Sequence, residues 1–223
     1  MRIVIAGGHG QIALHLERLL SARGDSPVGI IRNPDHAEDL RAAGAEPVVL
    51  DLETATAEQV ADVVRGADAV AFAAGAGPGS GAARKETVDR GAAALLADAA
   101  ELAGVRRYLM ISAMNADMVP PPGMDETFAT YLRAKSEADA DLRGRDLDWT
   151  VLRPGALTND PATGLVTIAE KLPRGSITRE DVALVLLAVL DTPETAHIQV
   201  EVTGGDTSIT KAVSEIARQG EQP

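Results

Sequence analysis

Cysteine is absent from the 223-residue chain, which excludes disulfides, thiolate metal sites and a cysteine nucleophile. Histidine is scarce: only four occur, His9, His15, His36 and His197. No two of them have the spacing of a helical zinc-protease motif, so no metal is expected. Aromatic residues make up 2%, and the core must be built mainly from Ala, Val, Leu and Ile, with Phe72, Phe128, Tyr108, Tyr131 and Trp149 its aromatic members. Basic residues are outnumbered, 21 against 33 acidic, for a net charge of −12. That deficit argues against nucleic acid as a partner, because affinity for a phosphate backbone is built from Lys and Arg. No apolar run approaches the roughly 18 residues that a membrane span needs. The N-terminus passes from a short apolar run straight into glycines, without the longer core and cleavage site of a secretory signal. The chain is expected to be soluble and cytoplasmic, with a small molecule rather than a membrane as its substrate.

Apolar residues make up 45% and charged residues 24%, close to an ordinary globular protein and far from a disordered one. The length fits one domain. Short runs rich in Val and Ile read as strands at residues 3–6, 28–31, 47–50, 69–74, 108–111 and 150–152. Segments with helical spacing lie between them, at 11–22, 35–43, 57–65, 86–103 and 129–143. In 86–103 the apolar face is expected to carry Val88, Ala92, Leu95, Leu96, Ala99 and Leu102, with Asp89, Arg90, Asp98 and Glu101 off it. Gly24, Gly44, Gly66 and Gly104 punctuate the helix ends, as a left-handed residue there requires.

Strands alternating with helices imply parallel strands joined by right-handed crossovers and covered on both faces. The expected fold is α/β, a doubly wound parallel sheet of the Rossmann type. Residues 153–223 are read as a substrate-side extension of the same single domain. It comprises a loop at 155–164, a short run at 165–168, a helix at 179–190, a strand at 198–202 and a helix at 209–218. Thr178 and Asp181 have the spacing of a capping box at the start of the penultimate helix. The apolar stripes of 86–103 and 129–143 leave a monomer and a homodimer both open.

The first strand runs into Gly7-Gly8-His9-Gly10-Gln11-Ile12-Ala13. Gly7 suits a tight turn, Gly10 a side-chain-free approach to a pyrophosphate, and Ala13 close packing of helix on strand. The helix opening at Gln11 and Ile12 offers its amides to phosphate charge. The second strand ends in Arg32, where an arginine accommodates a 2′-phosphate and an acid accepts from a ribose hydroxyl. Arg32 therefore favours NADP(H) over NAD(H), the alternatives being a solvated strand-end charge or a ribose contact from Asp35. Asp51 and Leu52 close the third strand beside the expected adenine, and Ala73, Ala74 and Gly75 are small enough to admit a ribose. Pro154 and Gly155 end the sixth strand at the edge where open α/β sheets bind ligands.

Six segments together resemble the atypical short-chain dehydrogenases/reductases. They are Gly7-x-x-Gly10-x-x-Ala13, Arg32-Asn33-Pro34, Asp51-Leu52, Val88-Asp89-x-Gly91-Ala92, Tyr131-Leu132-Arg133-Ala134-Lys135 and Leu152-Arg153-Pro154-Gly155. The resemblance is to the NAD(P)-binding, epimerase/dehydratase-like group, near its NmrA-like and flavin-reductase-like branches. It implies a catalytic Tyr131–Lys135 pair, with Lys135 also holding the nicotinamide ribose, and a serine, Ser112, orienting the substrate oxygen. Asp89 corresponds to the aspartate this group carries where other relatives have an active-site Asn. Four residues apart on a helix, Tyr131 and Lys135 share a face, and a nearby ammonium is expected to lower the phenol's pKa; the alternative is a Tyr131 packed on its helix, with Lys135 bridging to Asp139 or another acid. The family's serine pair is here Ser112-Ala113, so a second hydroxyl is missing, with Asn115 a possible substitute. Met114, Met118, Met124 and Phe128 form either a flexible apolar wall or a proline-pinned surface loop. The implied activity is hydride transfer between NADP(H) and a small carbonyl, quinone or flavin-like substrate. The other readings are an epimerase or dehydratase and an NADP-binding sensor without turnover.

Overall fold

The computed structural model describes residues 1–77 and 79–220, so Pro78, inside the expected loop 73–82, lies outside the described residues. Strands β1 (Arg2–Ala6), β2 (Ser26–Ile31), β3 (Glu46–Val49), β4 (Ala69–Phe72), β5 (Arg107–Ile111) and β6 (Asp148–Pro154) pair in parallel in the order β3-β2-β1-β4-β5-β6. This is the Rossmann order, whose topological switch lies between β1 and β4. The helices between them are α1 (Gln11–Ala22), α2 (Ala37–Ala42), α3 (Ala57–Val64), α4 (Ala82–Arg84), α5 (Ala93–Ala103) and α6 (Glu126–Arg143).

Alternation along each strand explains why these runs are continuously apolar. In β1, Ile3 and Ile5 face the layer built from α1, while Val4 and Ala6 face the layer built from α3 and α5. Both faces are covered, so neither set can be polar. Thr56 and Gln59 form a capping box at the start of α3, and the helix-ending glycines 24, 44, 66 and 104 all have positive φ.

The C-terminal part continues the same sheet. β10 (Ile198–Gly204) pairs in parallel with β6, and β8 (Leu165–Ala169) runs antiparallel between β10 and β11 (Thr207–Ser208). Helix α7 (Arg179–Leu190) packs beside α1, and α8 (Ile209–Gly220) lies against α7. The stretch 155–164, expected to be all loop, contains a strand, β7 (Ala156–Thr158), paired in parallel with β9 (Ser176–Thr178). Val or Ile runs mark strands buried in a large sheet; a three-residue ladder at its margin leaves no such mark. No described helix is long and apolar enough to cross a membrane.

Three further expectations are corrected. The segment 86–103 is not uniformly α-helical: Lys85–Ala92 winds as a π-helix before α5. Asp89 is fully buried rather than off the apolar face, whereas Leu102 is 60% exposed. Phe128 is 49% exposed and Tyr131 half-buried, which leaves the core to Phe72, Tyr108 and Trp149.

Candidate active site

The glycine loop is shaped by its neighbours. Gly7 has φ +80°, and a Cβ there would lie 2.6 Å from the Ala74 Cα. At Gly10 a Cβ would lie 3.1 Å from the Gly7 carbonyl oxygen. Gly10 caps α1 without a side-chain bond, and among the described residues the N–H groups of Gln11, Ile12 and Ala13 meet no acceptor. Three orphan amides at a helix N-terminus, reached over side-chain-free backbone, fit a pyrophosphate.

Three adjoining cavities follow the carboxyl ends of the strands. One of about 170 Å³ is bordered by Gly7, Arg32, Asp51, Leu52, Glu53 and Arg84. The next, about 270 Å³, shares Gly7, Arg32 and Ala74 with it and adds His9, Gly10, Ala73 and Gly75. The third, about 490 Å³, begins at Ala73, Ala74 and Gly75 and ends among Ile12, Lys85, Asp89, Ser112, Phe128, Tyr131 and Lys135. The switch point between β1 and β4 thus becomes a cleft with the expected nucleotide residues at one end and the expected catalytic residues at the other. Gln11 borders a separate cavity with Arg18 and Arg179. Pro154 and Gly155 lie outside the cleft. The Pro154 carbonyl accepts from the Met114 N–H at 3.0 Å, and the Gly155 N–H donates to Val202 at 2.9 Å. A Cβ at Gly155 would collide with the Gly175 carbonyl oxygen, so glycine there serves the close approach of two backbones.

At the nucleotide end, Arg32 donates to Glu53 at 2.9 Å. The same carboxylate oxygen accepts from Arg84 at 2.8 Å, and Thr87 donates to its partner oxygen at 2.7 Å. The Thr87 hydroxyl first, and then the two guanidiniums, hold Glu53 below the usual carboxylate range. Neither Glu53 nor Arg84 stands out from sequence alone, although Glu53 follows Asp51 by two and Arg84 heads a basic pair after the β4 loop.

At the other end, Lys135 is buried and lies 3.3 Å from an Asp89 oxygen. Its ammonium also donates to the carbonyls of Ile111 at 3.2 Å and Ala74 at 3.4 Å. The second Asp89 oxygen accepts from the Ala76 N–H at 3.3 Å. Sequence spacing had allowed a Lys135–Asp139 pair; instead Arg153, itself buried, takes Asp139 at 2.8 Å. The Ser112 hydroxyl donates to that same Asp139 oxygen at 2.8 Å. Its hydrogen therefore points away from the cavity. Burial raises the Asp139 carboxyl against the opposing pull of Arg153 and Ser112.

The expectation of a lowered Tyr131 pKa is not met. Burial, and then the negative charges of Asp89 and Asp139, raise it above its ordinary value. The Lys135 charge is already matched by Asp89, so little of it is left for the phenol. Lys85, also buried, completes the group: its ammonium sits 5.2 Å above the Tyr131 ring centre and donates to the Gly77 carbonyl at 2.9 Å. Of the expected apolar wall, Phe128 borders this cavity, while Met118 borders a separate one. Asn115 adopts φ +59°, and its N–H donates to Glu201 at 3.0 Å.

The family model described as "NAD(P)H-binding" matches residues 7–193, a span that holds the whole cleft. The chain belongs to that family. A Bacillus subtilis protein named as an uncharacterized sugar epimerase is 36% identical over 217 residues, 97% of this chain and 100% of the relative. A Bacillus halodurans structure provisionally named an NAD-dependent epimerase/dehydratase aligns with a TM-score of 0.88 at 35% identity, over 96% of this chain and 99% of that one. The Lactococcus lactis oxidoreductase YlbE aligns with a TM-score of 0.87 at 28% identity over 100% of both chains. A Veillonella parvula short-chain dehydrogenase/reductase aligns with a TM-score of 0.72 at 18% identity over 93% of this chain and 95% of that one, a likeness of fold.

Proposed function

We propose that this protein is an NADP(H)-dependent reductase acting on a small carbonyl, quinone or flavin-like acceptor. The observation that carries this reading is the continuity of the cleft, which leads from the glycine loop at Gly7 and Gly10 to a cavity bordered by Tyr131, Lys135, Asp89 and Lys85. The dinucleotide supplies the hydride when bound. The amides of Gln11, Ile12 and Ala13 hold its phosphates. Arg32 and Arg84 both reach one oxygen of Glu53, which sets two guanidiniums side by side where a 2′-phosphate would sit, with Asp51 on the same border. Guanidinium donors at that position favour NADP(H) over NAD(H).

Lys135, fixed by Asp89 and two carbonyls, orients the ribose beside the reacting centre, in the role the motif resemblance implies. Tyr131 is protonated at neutral pH as any phenol is, and its raised pKa makes the phenolate scarcer still; in this reading it delivers a proton to the reduced oxygen. The Ser112 hydrogen is held by Asp139, so Tyr131 is the donor assigned here, with the Thr127 and Ser80 hydroxyls also on the border. This bias toward the proton-giving role is why the reading is a reductase. A second reading, an epimerase that oxidises and re-reduces its substrate, draws on the names of the B. subtilis and B. halodurans relatives.

The test is NADPH oxidation followed with carbonyl, quinone and flavin acceptors in wild type and Tyr131→Phe. A reductase loses about 10²- to 10⁴-fold in kcat in the variant while binding NADPH as before. Turnover of a sugar nucleotide without net NADPH consumption would support the epimerase instead.

A further inference from the structure

Lys85 is 8% exposed, and none of the described ion pairs includes it. Removing an ammonium from water without a counter-charge costs several kcal/mol. What offsets that cost in the structure is incomplete. One of its three donors reaches the Gly77 carbonyl at 2.9 Å, and its charge lies over the Tyr131 ring at 5.2 Å. The other ionised groups bordering the cavity are spoken for. Lys135 pairs with Asp89. Asp125, on the exposed rim, caps α6 by accepting from the Phe128 N–H at 2.8 Å. Among the described residues, Lys85 is thus a buried cation bordering a space of about 490 Å³ with donors to spare.

The rest of that wall is largely apolar. Ile12, Ile111, Leu157, Phe128 and the Tyr131 ring border it, with the hydroxyl of Thr127 near the mouth. A phosphate dianion is commonly met by several donors or a guanidinium fork, whereas a lone ammonium acts as a point charge. With Lys135 matched by Asp89, one unmatched lysine on a largely apolar wall suits a monoanion on an apolar body. The winding of the chain contributes too. Lys85 and Asp89 lie four residues apart on the π-helix Lys85–Ala92, and both border the cavity. One segment thereby fixes Lys135 through Asp89 and presents Lys85 to the substrate. Isolated π-helical turns are frequent at functional sites.

We propose that the substrate carries a carboxylate, and that Lys85 is the residue that selects it by pairing with that group beside Tyr131. The inference rests on the reading of this cavity as the substrate site. Its substrate class is an apolar or aromatic carboxylic acid that also bears the reducible group.

The experiment is a calorimetric or ligand-observed NMR titration with benzoate and with benzamide, which share shape but not charge. It is run on the protein alone and with NADP⁺ present, in wild type, Lys85→Met and Lys85→Arg. Wild type is expected to prefer benzoate by about tenfold or more, the worth of a charge-assisted bond. Lys85→Met loses that preference, and Lys85→Arg keeps part of it. NADP⁺ affinity, measured in the same samples, changes by less than about twofold. No benzoate preference in wild type, including no binding of either probe, overturns the proposal, as does a preference that survives in Lys85→Met. Failure of NADP⁺ to bind would count against the cofactor reading alone, because the probe titrations on the protein without nucleotide stand apart from it.

Discussion

Glu17 shows how much one side chain can weigh on this fold. It sits on α1, fully buried, with neither carboxyl oxygen hydrogen-bonded among the described residues. A Cβ on Gly29 would lie 2.6 Å from it, and one on Gly8 3.1 Å, so the carboxyl is wedged between the glycine loop and β2. Burial pushes its pKa up to about 8 from 4.5, against a small lowering by Arg18. Between those two values the folded protein keeps a proton that the unfolded chain has released, so stability falls as pH rises from about 4.5 to 8. The loss is on the order of 4 kcal/mol. Glu17→Gln removes the titration. Denaturation of the variant at pH 5 and pH 8 is expected to show near parity with wild type at the lower pH and higher stability at the upper. An unchanged slope between the two would contradict this account. Tyr131 works in the opposite functional sense: under the proposed reductase reading its raised pKa keeps it protonated, so reduction should not lose its acid form below about pH 10.

Elements here are held in place by a few buried polar groups. Thr178 caps α7 by accepting from the Asp181 N–H at 2.9 Å, as its spacing suggested. The Asp181 side chain does not complete the box. It is 1% exposed and accepts instead from the Gly164 N–H at 2.8 Å, the Thr163 N–H at 3.0 Å and the Thr178 hydroxyl at 3.0 Å. It therefore ties the chain entering β8 to the start of α7. Asp181→Ala leaves these donors, and the Thr163 hydroxyl at 3.1 Å, without their acceptor and is expected to cost about 2–4 kcal/mol in chemical denaturation; a change below about 0.5 kcal/mol would show the tie to be dispensable.

The elements were unevenly legible from sequence. Alternating Val/Ile runs and helix-ending glycines marked β1 to β6 and their helices, because burial on two faces leaves a strong local pattern. The small β7–β9 ladder had no such pattern. Nor did the π-helix, whose i to i−5 bonding depends on what its side chains must reach. At the site, spacing placed Tyr131 beside Lys135 and the glycine loop before α1. It left open which acid pairs with Lys135, and it passed over Glu53, Arg84 and Lys85. Those partners meet across β3, the β4 loop and α6, at distances along the chain that no local motif spans.

At the scale of the whole molecule, an acidic protein of net charge −12 has to receive a polyanionic dinucleotide. It does so by concentrating positive character along one cleft: the amide end of α1, the Arg32–Arg84 pair around Glu53, and the buried ammonium of Lys135. Long-range attraction is weak or adverse in such a molecule, so affinity and selectivity fall to these local contacts. The Rossmann order of the sheet brings them together, since the glycine loop, Arg32 and Ala73–Gly75 all leave the carboxyl ends of strands at or beside the switch point.

The most direct measurement is a titration of the purified protein with NADPH, NADP⁺, NADH and NAD⁺, repeated on Arg32→Ala. The account predicts tighter binding of the two 2′-phosphorylated forms. It also predicts a loss of about 10- to 100-fold for those forms in the variant, with little change for NADH and NAD⁺. Equal affinity for all four in wild type, or a preference untouched by Arg32→Ala, would contradict the cofactor assignment, and no binding of any of them would contradict the hydride chemistry with it.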